Sequence, residues 1–194
     1  MKNIYLIGAI IITLVVIGCQ NKTDEVDNPE LKSELENYAD SYMSELKSVL
    51  MQNMKAGGPL KAVNVCSDTA AQLTSSFSER MGVQVKRFSI KNRNSENYPD
   101  KFEQEFLEYF EQLQSTDRLS ADSHLLKRVE SEGKYNLIFV KPIVIAAPCL
   151  NCHGSEDQIS DEVNLVLQEK YPNDKATGYN IGDLRGAISV TKAL

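Results

Sequence analysis

The sequence predicts an α+β fold, in which a small antiparallel sheet carries helices on one side. Two patterns predict it. Apolar residues recur three and four positions apart over much of the first half, as on one face of a helix, whereas from His124 onward they follow the shorter period of strands. The chain of 194 residues is also of a length that folds as one domain with a substantial core.

The N-terminus has the features of a secretory signal peptide. Residues 1–18 begin with Lys2, continue as an uncharged, mostly apolar run from Ile4 to Ile17, and end at Gly18. The ending Val-Ile-Gly-Cys resembles the bacterial lipobox, in which the cut precedes the cysteine and the thiol carries lipid. An uncleaved anchor is the alternative, but the run is short for the ~20 residues that a bilayer core requires. We therefore expect a protein of the bacterial cell envelope, periplasmic or surface-facing, attached to the membrane by lipid on Cys19.

Charge and composition limit the partners of the mature chain. Cleavage after residue 18 removes one lysine and no acid, so the formal charge changes from −6 to −7. An acidic chain without a basic cluster is a poor candidate for nucleic acid. Residues 19–29 are polar and acidic, which predicts a flexible tether, and residues 30–194 are the predicted folded domain.

Three helices are predicted in the first part of the domain. Asn28 and Pro29 form an N-cap followed by proline at the first helical position, and Gly57-Gly58 ends the first helix. A second helix over residues 59–80 has an apolar stripe that includes Cys66, which predicts that this thiol points into the core. A third helix begins near Pro99. The stripes consist of Leu31, Leu35, Tyr38, Tyr42, Leu46 and Val49 in the first helix, Val63, Cys66, Ala70, Leu73 and Phe77 in the second, and Phe102, Phe106, Phe110 and Leu113 in the third.

Four strands and one further helix complete the predicted fold. The strands are expected within residues 82–90, 124–131, 134–147 and 183–194. A short helix is predicted between the last two strands, from the spacing of Ile159, Val163, Val166 and Leu167.

The stretch PCLNCHG at residues 148–154 carries the most specific chemistry in the chain. Cys149, Cys152 and His153 have the spacing of the c-type haem attachment signature. Two thiols one helical turn apart reach the two vinyl groups of haem, and the adjacent imidazole is placed to bind the iron. Covalent haem is attached in this way outside the bacterial cytoplasm, where the signal peptide directs the chain.

Three other kinds of site have a similar cysteine spacing. A structural zinc site needs four ligands, for which Cys66 could join the motif, but adjacent Cys152 and His153 would both have to face one ion. A redox-active dithiol belongs in a thioredoxin-like βαβ pattern, which the sequence lacks. A plain disulfide between the two cysteines would leave His153 without a role. Export and the adjacent histidine together favour haem.

The residue types alone do not identify a second axial ligand for a haem iron. His124 is a candidate by its chemistry, and Cys66 is the unusual one. The remaining candidates are the methionines Met43, Met51, Met54 and Met81. A methionine on a helix is more often core filling, and a cysteine on an apolar stripe is more often a small buried hydrophobe.

Four blocks in the same order resemble a known family. They are KAVNVCSDTA at 61–70, VKRFSIKNRNSENYPDKFE at 85–103, PCLNCHG, and YPNDKATGYNIGDLRGAISV at 171–190. Together they are similar to exported proteins with a single c-type haem and a PAS-like fold, catalogued as a domain of unknown function. The resemblance implies one covalent haem c whose iron is held by His153 and by the cysteine that matches Cys66. It also makes Arg87, Arg93 and Arg185 candidates for contact with the haem propionates or the pocket edge.

Two functions are compatible with this site. The first is single-electron transfer by a lipid-anchored cytochrome with an unidentified redox partner protein. The second is a redox or small-molecule sensor that exchanges the Cys66 ligand. Two protein ligands on the iron, and the lack of a recognisable catalytic constellation, predict that the protein is not an enzyme.

Overall fold

The computed structural model describes residues 28–131 and 133–194 of the chain. The predicted signal peptide, Cys19 and most of the predicted tether lie outside the described residues. The helices are α1 (Pro29–Met81), α2 (Lys101–Ser115), α3 (Leu150–His153) and α4 (Asp161–Lys170), and the strands are β1 (Gln84–Phe88), β2 (Leu125–Ser131), β3 (Lys134–Val144) and β4 (Leu184–Ala193). The α+β class and the four strands are as the sequence predicts.

Helix α1 consists of two arms that join at Gly57-Gly58. The helix begins as the sequence predicts, because the Asn28 side chain accepts hydrogen bonds from the next free backbone N–H groups and Pro29 occupies the first turn. At the junction Gly58 has a φ of 68°, which glycine adopts without strain. Tyr42 Oη lies 2.8 Å from Thr74 Oγ1, so the two arms fold back against each other.

Among the described residues, none of the helices combines the length and the hydrophobicity that a membrane span requires.

The four strands form one antiparallel sheet in the order β1-β4-β3-β2. The first and last strands of the domain are therefore neighbours. The end of β1, the beginning of β4 and the end of β3 meet at one edge of the sheet, where Phe88 pairs with Ala187 and Val144 pairs with Leu184. The PCLNCHG motif follows β3 directly and thus starts at this edge.

The prediction of helices on one side of the sheet is wrong, because both faces are covered. Consecutive residues of β3 point to opposite faces. Leu137 and Phe139 pack with α1, whereas Ile138 and Val140 pack with α2. The uninterrupted apolar run at 137–140 is the pattern of a strand buried on both faces. This run therefore indicates the second covered face of the sheet.

Candidate functional site

The two cysteines of the motif lie on a short helical segment. Residues Ala147–Cys149 form one turn of 3₁₀ helix that leads directly into α3, and Cys149 already has helical backbone angles. Cys149 and Cys152 are therefore about one turn apart and lie on the same side of this segment. The backbone N–H of Ala146 donates to Cys149 Sγ at 3.4 Å. Cys66, Cys149 and Cys152 are all free thiols, so the described part of the chain contains no disulfide in this motif.

His153 is held in one tautomer by a backbone carbonyl. Its Nδ1 lies 2.6 Å from the carbonyl oxygen of Ala176. Because a carbonyl can only accept, Nδ1 carries the proton and Nε2 keeps its lone pair. Desolvation of the ring, together with the positive charges of Arg93 and Arg185, lowers the pKa of His153 to about 3. The imidazole is thus neutral at physiological pH, which is the form that binds a metal.

The loop at residues 174–179 runs along the motif and supports it. Gly178 N–H donates to the carbonyl of Gly154 at 2.7 Å, and Tyr179 N–H donates to the carbonyl of His153 at 3.0 Å. The Tyr179 ring also meets the His153 ring edge-on, with centroids 6.3 Å apart. Gly154 is required locally, because a Cβ there would meet the Leu150 carbonyl at 2.7 Å.

Cys66 lies on the C-terminal arm of α1 and belongs to the same neighbourhood. Desolvation raises the pKa of its thiol, and the positive charge of Arg87 acts in the opposite direction. Burial also raises the pKa of Cys152, on which the charge of Arg93 and the thiols of Cys66 and Cys149 act as well. The structure therefore brings the predicted cysteine on α1 to the motif, although the two are more than 80 residues apart in sequence.

The surroundings of Cys66 differ from the sequence expectation. The apolar stripe predicts that its thiol points into the core, but Cys66 is only half-buried. Val63, one turn before it, packs against α4 rather than against the sheet. Cys152 packs against the same cluster, which consists of Val63, Ile159, Val163 and Leu167.

The three predicted arginines have different surroundings. Arg87 pairs with Ile188 of β4 through its backbone, whereas its half-buried side chain makes no hydrogen bond or ion pair within the described residues. Arg93 is engaged by protein groups, since its Nε donates to Asp174 Oδ2 at 2.8 Å and its Nη2 donates to the carbonyl of Cys152. Arg185 Nη1 donates to the carbonyl of Lys91 at 3.0 Å, and burial lowers the pKa of this arginine.

The alternative ligands from the sequence lie in other surroundings. The His124 ring stacks on Phe139 with centroids 5.4 Å apart, and its Nδ1 is 3.1 Å from the carbonyl of Asp122. Met43 and Met81 pack against the core between α1 and the sheet. Among residues 28–131 and 133–194, no group of three or more His, Cys, Asp or Glu side chains is arranged to hold a metal ion.

Two residues of the site, Asp174 and Ala176, are not predicted from the sequence. Asp174 pairs with Arg93, and the carbonyl of Ala176 accepts from His153. Both residues lie in a polar loop without a helical or strand pattern, and one acts through its backbone. Apart from their place in a block that resembles the family, they gave no sequence signal.

Comparisons with known proteins support the resemblance. A family model described as Tll0287-like matches residues 17–192. Among solved structures, the chain is similar to the "Crystal structure of the cyanobacterial heme-protein Tll0287", with a TM-score of 0.64 and 22% sequence identity. That match covers 86% of this chain and 96% of the other. No curated protein sequence matches the chain. At this level of identity the structural likeness shows a shared fold.

Proposed function

The chain belongs to the Tll0287-like family, and on that premise we propose that it is a single-haem c-type protein that transfers single electrons in the bacterial cell envelope. The observation that carries the proposal is the donor set of the motif. Two free thiols one turn apart stand beside a neutral imidazole whose Nε2 is unprotonated. This is the set of groups that covalent attachment of haem requires.

The roles of the motif residues follow from their chemistry. Cys149 and Cys152 would each add across one vinyl group, so that sulfur forms a thioether and the thiol hydrogen goes to the neighbouring carbon. His153 would hold the iron through Nε2, the ring nitrogen that keeps its lone pair. Since Nδ1–H donates to the Ala176 carbonyl, the imidazole would be a stronger donor through Nε2.

Cys66 and Arg87 are the proposed contacts outside the motif. Cys66 would hold the iron as a thiolate, a donor that favours the oxidised state and a low reduction potential. Arg87 has a guanidinium that no described protein group engages, and its positive charge acts on Cys66. It is therefore better suited to contact a propionate than Arg93, whose donors are engaged by the protein.

Electron transfer is favoured over catalysis by the proposed ligand set. The bound iron would supply one-electron redox chemistry. His153 and Cys66 would both hold the iron, so neither is assigned to a substrate. We further propose a PAS-like fold, a lipid on Cys19 after removal of residues 1–18, and a redox partner protein. The antiparallel sheet with helices supports the first of these, and the lipobox-like sequence supports the second.

Expression of the full chain together with a haem-attachment system tests the central proposal. We expect a haem stain that survives heat and SDS, and a polypeptide mass increased by one haem. A Cys149→Ser, Cys152→Ser double variant should lose the covalent haem completely, whereas a Cys66→Ala variant should keep it. A wild-type chain without covalent haem would refute the proposal.

A haem-based sensor is the second candidate function. The observation in its favour is the half-buried position of Cys66, whose side chain is not enclosed in the core, so that exchange of this ligand needs no opening of the core. The two functions are separated by adding carbon monoxide or nitric oxide to the reduced protein. Rapid binding that displaces Cys66 favours sensing. Lack of binding, together with fast electron exchange with a small redox dye, favours a carrier.

A further inference from the structure

One ion pair near the motif is much less exposed than most of the other ion pairs in the described chain. Arg93 Nε and Asp174 Oδ2 are 2.8 Å apart, and their side chains are 13% and 12% exposed. The two residues come from separate loops, one after β1 and one after α4. A pair of this kind adds little net stability, because removing both charges from water offsets most of their attraction. We therefore look for the role of this pair in the backbone groups that it holds in position.

Each partner of the pair holds backbone groups around His153. Asp174 Oδ1 accepts from the Ala176 N–H at 2.8 Å. Arg93 Nη2 donates to the carbonyl of Cys152, the residue before His153, and makes a longer contact of 3.4 Å with the Ala176 carbonyl. The pair thus connects the peptide group between Cys152 and His153 to the Ala176 carbonyl, which contacts the His153 ring.

From these contacts we propose that Arg93 and Asp174 are positioning residues that fix the tautomer and the ring orientation of His153. The pair sets the distance between the motif and the Ala176 carbonyl, and this carbonyl accepts from Nδ1 at 2.6 Å. The orientation of the Nε2 lone pair follows from that hydrogen bond. The effect on the tautomer stands on the geometry alone, whereas the effect on a reduction potential rests on the proposed haem ligation.

The charge and the shape of Arg93 can be separated by substitution. Arg93→Lys keeps the positive charge but lacks the planar fork, so it cannot reach Asp174, Cys152 and Ala176 together. Asp174→Asn keeps the size of the side chain but removes the ion pair. The matched control is Arg80→Lys, since Arg80 and Glu45 form another arginine–carboxylate pair at 2.8 Å, with side chains 47% and 42% exposed.

The first measurement uses the haem-free full chain. Nitrogen NMR of the histidine rings should show His153 in the wild type as a single tautomer with the proton on Nδ1. In Arg93→Lys and Asp174→Asn we expect a mixture of both tautomers, whereas Arg80→Lys should resemble the wild type. An unchanged single tautomer in folded Arg93→Lys and folded Asp174→Asn would refute the proposal, whether or not the chain binds haem.

The second measurement uses the haem-loaded full chain. Weaker support of Nδ1–H makes His153 a poorer donor to ferric iron, and loss of such a supporting contact typically costs at least tenfold. We expect Arg93→Lys to weaken the preference for the oxidised state about tenfold, which raises the midpoint potential by ~59 mV. The low-spin ferric EPR signal should also broaden. An unchanged potential and an unchanged EPR signal would overturn the proposal, whereas a wild-type chain without haem would refute only the proposed function.

Discussion

The C-terminal arm of α1 contacts two different regions of the molecule along one apolar stripe. Phe77 lies in the sheet core, where it is fully buried and its ring meets that of Tyr42 at a centroid distance of 5.5 Å. Cys66 lies three turns earlier, half-buried and under the influence of a positive charge. The helical period identifies the side of a helix that faces inward, but it does not distinguish an apolar core from a polar site.

Strand β1 contains the boundary between these two regions. Val85 and Arg87 are two residues apart and therefore lie on the same face of the sheet. Val85 packs in the core with Phe77, whereas the charge of Arg87 acts on Cys66. The change from an apolar to a charged residue along one face of β1 therefore marks where the core ends and the site begins.

Truncation in the core should have the largest effect on stability. In the haem-free chain, we expect Phe77→Ala to lower the free energy of unfolding by about 3–5 kcal/mol, because it leaves a cavity between α1 and the sheet. Urea unfolding followed by circular dichroism measures the change. A loss below ~1 kcal/mol would mean that Phe77 is not part of a closely packed core.

A substitution at the boundary should have an intermediate effect. Gly186 on β4 has a φ of 153°, and a Cβ there would clash with the carbonyl oxygen of Phe88 on β1. We expect Gly186→Ala to cost about 1–3 kcal/mol in the free energy of unfolding, from backbone strain and from separation of the two strands. Gly133→Ala is a matched control, since Gly133 also has a positive φ of 74°, but among the described residues no atom beyond its chain neighbours lies within 4 Å of the added Cβ. Equal losses in both variants would exclude a role for the close approach.

The sequence predicts the local structure of this protein better than its long-range contacts. The periods of the apolar residues and the turn signals predict the elements, because these depend on neighbouring residues. The packing of α2 on the second face of the sheet is a long-range contact that the helical and strand periods do not predict, although the apolar run at 137–140 in β3 indicates it. The Arg93–Asp174 pair could not be predicted by the same means, because it joins two loops 81 positions apart without a periodic pattern.

Cys66→Ala should have little effect on the fold but a large effect on the site. In the haem-free chain, we expect a change in the free energy of unfolding below ~1 kcal/mol, because the side chain is small and only half-buried. In the haem-loaded chain, the same substitution should abolish the low-spin ferric EPR signal of a cysteine–histidine pair. An unchanged signal would exclude Cys66 as a ligand and would leave His124 or a methionine as the candidate ligand.

The smallest effect is expected at the rim of the core, far along the sheet from the site. Glu34 accepts two hydrogen bonds from Lys192 Nζ at 2.7 Å and one from Tyr38 Oη at 2.8 Å. The hydrogen bond from Lys192 is the largest of the causes that lower the pKa of Glu34 below its ordinary value of 4.5. A carboxyl with a lowered pKa in the folded state stabilises the fold above its ordinary pKa, and this contribution is lost as the pH falls through the folded-state value.

Substitution of Glu34 tests this contribution at two pH values. The Glu34 and Lys192 side chains are about one third exposed, so solvent screening keeps the contribution small. In the haem-free chain we expect Glu34→Gln to lower the free energy of unfolding by less than ~1 kcal/mol at pH 7. The difference from the wild type should disappear on acidification below the folded-state pKa. A difference that persists in acid would show that Glu34 acts through packing or neutral hydrogen bonds rather than through its charge.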